Sequence, residues 1–323
     1  MVVLQMKNSL KSVSLKNKNT RMTVGVLAAV IVLAALLAVF VPQFYTASNF
    51  SNILEQCSTI GILAAGISVV LVGGGMDISL ASNLCCSAVI GSLVMKNTGN
   101  IALGIFLMFA VALAFGLLNG ISVAYFKMVP FIVTLSTQVV ATGLGVLLSS
   151  SKSVFGLPEA FINALTITIG GIPLAIYILA VVVILYWLIL NKSALGRMIF
   201  AVGSNENAAV VCGINTRLIK MITYLLSALS AGIVAMLLTA RLGCASMQMA
   251  SDSTNMDVMT SAILGGVSLS GGKGHIGGAF LGAIFIIVFS NLVNLIGISY
   301  YPSLMIKGAV IILVTCLDAS RAK

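Results

Sequence analysis

Apolar runs of about twenty residues, the length a helix needs to cross a hydrocarbon core, recur from one end of this chain to the other. On that ruler the 323 residues resolve into ten candidate spans: 24–42, 53–73, 79–95, 101–126, 131–149, 172–190, 218–240, 257–271, 276–297 and 303–318. No polar block between them is large enough to fold separately in water. The chain therefore reads as one all-α integral membrane domain, a bundle of about ten transmembrane helices over 24–318, with a basic tail at 1–23 and a short tail at 319–323. Spans three and eight are short, which predicts broken or re-entrant segments. Irregular backbone at depth survives only where protein or a water-filled cavity surrounds it.

Composition agrees: 7% of residues are charged, and the mean hydropathy is +1.17, against about 25% charged residues in soluble domains. The formal charge is +10, but the basic residues are scattered between apolar runs, without the stripe that a nucleic-acid groove needs. Membrane topology accounts for them better, because Lys and Arg in short loops stay on the cytoplasmic side. Of the 17 Lys and Arg, only Lys96, Lys152 and Arg241 fall opposite the N-terminus in the ten-span reading, and Lys307 lies within the last span. Both termini are expected to be cytoplasmic. The run from Val24 to Val41 exceeds the about 7–15 residues of a signal-peptide core and no small-x-small cleavage site follows, so a retained first helix is expected.

Catalysis finds no support. Cys57, Cys85, Cys86, Cys212, Cys244 and Cys316 show no C-x-x-C spacing and read as small hydrophobes rather than metal ligands or disulfides. His275 is the single histidine, and no carboxylate pair or Ser/His/Asp set accompanies it. The segment GGKGH (271–275) invites a phosphate-loop reading, but the places six before and one after Lys273 hold Val267 and Gly274 instead of the required Gly and Ser or Thr. No nucleotide site is expected in this segment.

Polar residues inside apolar runs face a cavity or another helix. Those residues are Glu55 and Gln56 in span two, Asn119 in span four, Thr134, Ser136, Thr137 and Gln138 in span five, and Asn291 and Asn294 in span nine. Amides both donate to and accept from hydroxyls, so Gln56, Asn119, Thr134, Thr137, Gln138, Asn291 and Asn294 make a candidate pathway for a polyol. The bland alternative is helix–helix glue worth about 0.6 kcal/mol each. Asp77 and Lys307, near helix ends, are expected to be paired or solvated. An internal echo links Gly74-Gly75-Met76-Asp77-Ile78-Ser79 to Gly265-Gly266-Val267-Ser268-Leu269-Ser270, both ending a span on one side.

The longest loop on the N-terminal side is 191–217, containing GRMIFAVGSNENAAVVCGIN. Ser204 is expected to cap a two-turn helix from Asn205 to Cys212, with Glu206 in its first turn and Gly213 at the left-handed stop. So short a helix is marginal alone, and Ala208 and Ala209 would let a partner backbone come close. Glu206, Ala208-Ala209 and Gly213 resemble the Glu-Ala-Ala…Gly loop by which permease subunits of ABC importers dock on their ATPase, although Asn207 interrupts the match.

From about Asn52 to Asp318 the chain resembles the ribose-type sugar permease family. GGGMDIS (73–79), VPFIVTLST (129–137), ILGGVSLSGGKG (263–274), NLVNLIGIS (291–299) and MIKGAVIILV (305–314) carry the likeness. The resemblance implies a bacterial inner-membrane subunit with residues 204–213 as the coupling helix and GGKGH as a turn near the ATPase. It also implies three protein partners: an ABC ATPase, a second permease subunit (copy or paralogue) and an extracytoplasmic sugar-binding protein. Two departures stand out: ASDSTNMD (250–257) keeps Asp257 but loses the glutamate of the family run, and Ala81 replaces a glycine. The competing reading, an ion-coupled secondary transporter of a small polar solute, predicts a charged or helix-broken site at mid-membrane, and buried acids are scarce.

Overall fold

In a computed structural model of the chain, the described residues are 44, 46–250, 252–299, 301–305, 308, 309 and 312. The expected tail 1–23, the span at 24–42, Lys307 and most of the span at 303–318 lie outside them. In chain order the described residues form α1 (Ala47–Val72), α2 (Leu80–Thr98), α3 (Ile101–Ala124), α4 (Pro130–Ser149), α5 (Glu159–Thr166), strands β1 (Thr168–Ile169) and β2 (Ile172–Pro173), α6 (Leu174–Lys192), α7 (Ala194–Ser204), α8 (Glu206–Val211), α9 (Thr216–Leu242), α10 (Asp252–Leu264) and α11 (Ile276–Leu295). Six of these, α1, α3, α4, α6, α9 and α11, are long and apolar enough to cross a membrane.

Local signals set the boundaries. Side-chain oxygens of Thr46, Asn100 and Asn215 accept from Asn49, Leu103 and Leu218 N–H and so start α1, α3 and α9, satisfying amides that a helix start leaves free. Pro130 opens α4, where its missing N–H costs nothing. The echoed segments share one stop. Gly74 and Gly75 N–H donate to Leu71 and Val70 C=O, and Gly266 and Val267 N–H donate to Ile263 and Ala262 C=O, the paired bonds of a left-handed helix terminus.

From Gly61 to Val72 every residue of α1 is buried, because α6, α7, α9, α10 and α11 surround it. Lipid is as apolar as leucine, so close packing of small residues has to hold such helices together. Gly66 of α1 lies against Ser230 of α9, and Gly116 of α3 against Ala228; a Cβ at either would clash. At the periphery, α3 and α6 expose apolar side chains such as Phe106, Leu118, Val181 and Ile184, as a lipid-facing surface must. The fourth helix differs, exposing Ser136 and Thr142 among its valines and leucines.

Several expectations need correction. The third span is not short: α2 runs 19 residues, and the apolar ruler stopped at Met95 because the last turn, Lys96-Asn97-Thr98, is polar. Two buried polar side chains of α2 are satisfied internally, with Asn83 Nδ2 donating to Ala112 C=O at 3.1 Å and Ser87 Oγ to Asn83 Oδ1 at 3.2 Å, whereas Ser92 Oγ has no partner. The eighth span ends as a helix at Leu264 and continues as a glycine turn, in which Ser268 N–H donates to Lys273 C=O. Segment 191–217 is mostly helical, and α5 and the β1–β2 hairpin carry no apolar run that would have announced them. Of the two expectations for Asp77, pairing holds and solvation does not, since it is 5% exposed. It accepts from Ser79 N–H (3.0 Å), Ser79 Oγ (2.6 Å) and Ser227 Oγ (3.0 Å) inside the bundle, since its short side chain cannot snorkel as lysine does.

Candidate functional site: a short exposed helix and an opposed polar cavity

The 27 residues of α9 span about 40 Å at 1.5 Å per residue, and its two ends carry different chemistry. Its N-terminal end meets α7 and α8. Ser193 caps α7 by accepting from Gly196 N–H at 3.0 Å. Ser204 is the last residue of α7, not a cap; the cap of α8 is Asn205, whose Oδ1 accepts from Ala208 N–H at 3.0 Å. The extended backbone at Asn205 separates the helices, and only the residue at that break can aim an oxygen at the new helix. The helix ends one residue inside the expected Cys212, and Gly213 adopts φ +78° as its stop.

On so short a helix each side chain has a distinct role. Glu206 pairs with Lys220 of α9 at 2.6 Å. Ala209 is 4% exposed and belongs to the main apolar core, so it faces its own bundle and not a partner. Ala208 is exposed, and Val211, three positions on and so on the same face, is 87% exposed. A cavity of about 820 Å³ opens beside α8, with Lys127, Arg217 and Lys220 in its wall.

Behind the segment lies a junction of backbones. Gly203 sits so close to Val72 C=O and Gly272 N–H that a Cβ there would overlap both. Gly272 N–H donates to Val72 C=O at 2.8 Å, and Gly271, at φ +78°, abuts Gly203 and Gly74. The end of α7, the end of α1 and the GGKGH turn thus meet without intervening side chains. His275 Nδ1 accepts from Gly277 N–H and caps α11.

At the opposite end, a polar cavity of about 280 Å³ lies among α1, α9, α10 and α11. Gln56 and Thr59 enter it from α1, Thr254 and Asp257 from α10, Ser290 and Asn294 from α11. Arg241 of α9 stands at its side, bound to Glu55 and donating to Asn52 Oδ1.

The other sequence-selected polar groups are placed elsewhere. Asn119 Nδ2 donates to Ser79 Oγ at 2.9 Å and joins the Asp77 network. Asn291 exchanges hydrogen bonds with Asn49 at 2.7 and 3.2 Å, so it and Asn294 divide between a buried pair and the cavity. Thr134 Oγ1 donates to Pro130 C=O and Thr137 Oγ1 to Thr134 C=O, within α4; Gln138 is half-buried on the same helix. Sequence reasoning missed Val211, Gly203, Thr254 and Ser290. Only the glycines of the junction left a signal, as clusters beside helix ends.

A bundle of lipid-ready helices with a short exposed helix at one end and a polar cavity at the other is the architecture of a solute permease. The chain belongs to the family described as the permease component of branched-chain amino acid transport systems, whose model matches residues 49–315. It is 32% identical over 299 residues to the ribose import permease protein of Escherichia coli (strain K12), covering 91% of this chain and 93% of that one. It is 30% identical to the ribose import permease protein of Bacillus subtilis (strain 168), covering 92% and 93%. It is also 30% identical to the galactose/methyl galactoside import permease protein of Escherichia coli (strain K12), covering 92% and 94%. No solved structure matches the chain. It is a sugar-type ABC import permease by family and a multi-pass protein of the bacterial inner membrane.

Proposed function

We propose that this chain is the translocating subunit of a binding-protein-dependent ABC importer for a monosaccharide, ribose-like or a related simple sugar, with ten spans and both termini in the cytoplasm. The observation that carries the reading is α8, a six-residue helix whose Val211 stands in the open, at the end of the bundle remote from the polar cavity. An apolar side chain so placed on a helix too short to stand alone marks a docking element. In this reading Ser204, Asn205, Glu206, Ala208, Ala209 and Gly213 form the coupling segment: Asn205, Glu206 and Gly213 shape it, Ala209 anchors it, and Ala208 with Val211 meets the ATPase.

ATP and its Mg are held by that partner, and this chain binds neither. ATP binding shifts the population of two bundle arrangements, and the Gly203 junction links α7 to α1 as they change. The sugar comes from an extracytoplasmic binding protein and passes by way of Gln56 and Asn294 and of the half-buried Thr137 and Gln138 on α4, the helix that faces a second permease subunit, while Thr134 is fully buried behind them. Asn119 and Asn291 serve the walls of that path and not its surface, since each is paired within the bundle.

Proteoliposomes containing this chain, its ATPase and its binding protein should accumulate sugar only when ATP is supplied. Uptake driven by an ion gradient without ATP would overturn the reading and favour a secondary transporter. Asp77 is the buried acid such a transporter would use, but its acceptor sites are already engaged by Ser79 and Ser227.

A further inference from the structure

We propose that the 280 Å³ cavity is a sugar-binding site complete within one subunit, which the solute occupies before it reaches any passage between two subunits. The proposal rests on the permease reading above and deepens it by naming where the sugar sits. Its first support is a contrast in hydrogen bonding. Elsewhere in the bundle, buried amide N–H groups are taken up, Asn83 by Ala112 C=O, Asn119 by Ser79, Asn291 by Asn49 and Asn255 by Ile78 C=O at 2.7 Å, and among the described residues the buried side-chain oxygens left without a partner are Ser92 Oγ, Asn119 Oδ1 and Thr239 Oγ1. Among the described residues, the side chains of Gln56, Thr254, Ser290 and Asn294 have no such partner within the protein, and all four line this one void. Polar groups among membrane helices face a cavity or a partner, and here the protein supplies none, so water or a solute does.

The lining also selects the solute. Two amides, hydroxyls and the carboxylate of Asp257 offer donors and strong acceptors spread over three helices, which suits a ring carrying hydroxyls on several carbons. Leu238, Ile286 and Ile287 form an apolar wall against which the C–H face of such a ring can lie. At about 280 Å³ the cavity stands at the lower end of small-molecule sites, which run from about 300 Å³ upward, a size that suits a single sugar ring. A zwitterionic amino acid fits worse, because the one cation at the site, Arg241, is already held by Glu55 and Asn52 and is not free to receive a carboxylate.

The test is protection of a cysteine. A version lacking the native cysteines and carrying Ser290→Cys is assembled with its ATPase and binding protein in vesicles and labelled with a membrane-impermeant maleimide. Ribose, galactose, arabinose or allose is added as competitor, and the parent version is assayed for import in parallel. One of these sugars should slow labelling at Ser290→Cys while leaving Ala208→Cys, at the far end, unaffected. Adding Gln56→Ala or Asp257→Asn should weaken the protection about tenfold, the loss of one to two hydrogen bonds. If Ser290→Cys fails to assemble, Asn294→Cys serves in its place.

Unchanged labelling with every sugar the parent imports would overturn the cavity site and leave the permease reading standing. Protection by leucine, in a complex that imports no sugar, would overturn both.

Discussion

The two ends of this bundle are built on opposite principles. At the end that carries α8, three chain segments meet backbone to backbone through Gly74, Gly203, Gly271 and Gly272, with little side-chain bulk between them to cushion a displacement. At the other end, four helices hold apart a polar void. Close-packed groups move together or not at all, whereas groups facing a cavity can rearrange singly. The proposed mechanism calls for this difference: rigidity at the end where an ATPase would dock, and adaptable polar groups where a sugar would be held.

The comparison is most exposed to failure at Gly203. Gly203→Val should cost about 3 kcal/mol or more, the upper range of overpacking, and should abolish the monodisperse peak of detergent-extracted protein on size exclusion. Gly143→Ala, on an open face of α4 where nothing lies within 4 Å of the added carbon, should elute as the parent does. If Gly203→Val behaved like Gly143→Ala, the junction would not be rigid. The next effect concerns the loop that the junction borders. Asp77→Ala strands the hydroxyls of Ser79 and Ser227, a cost of about 1–3 kcal/mol that thermal unfolding in detergent should register, with Ser227→Ala costing less because Ser79 still donates to Asp77.

These tests also show what was legible beforehand. Long apolar helices announced themselves, since a run from Ile101 to Ala124 has no soluble alternative. Segment 204–213 was legible as a short helix with a glycine stop, because helix ends are set by a few local residues, although the cap fell one residue beyond Ser204, on Asn205. Its faces were not: whether Ala208 or Ala209 looks outward depends on how α7 meets α9, which no local pattern encodes. The cavity was half legible. Gln56 and Asn294 are conspicuous in apolar runs, but Thr254 and Ser290 look ordinary until four helices converge. Asn119 and Asn291 looked like Gln56 in sequence, and only the presence of Ser79 and Asn49 opposite them separates glue from lining.

A smaller effect sharpens that last distinction. Asn291→Leu leaves Asn49 without its reciprocal partner, and interhelical hydrogen bonds in membranes average about 0.6 kcal/mol, so unfolding should shift only slightly. Replacing both residues with leucine should restore most of the loss, since removing both partners of a buried pair is far cheaper than removing one. Import should persist in the double variant. Loss of import with unchanged stability would instead move Asn291 from the walls into the path.

The smallest effect on the fold should accompany a complete loss of function. Ala208 is exposed on α8, so Ala208→Glu should leave the unfolding temperature close to the parent's, a surface change of within about 0.5 kcal/mol. The same substitution at Ala209 buries a charge in the main core and should prevent folding. Ala208→Glu should nonetheless stop ATP-driven import in proteoliposomes, because a charged side chain three residues before Val211 holds off the surface that α8 must touch. Binding of sugar at the far cavity, read by cysteine protection, should survive, since about 40 Å of α9 separates the two ends. A folded Ala208→Glu protein that still imports would show that force does not enter through α8, and the opposition between a driven end and a loaded end would fail with it.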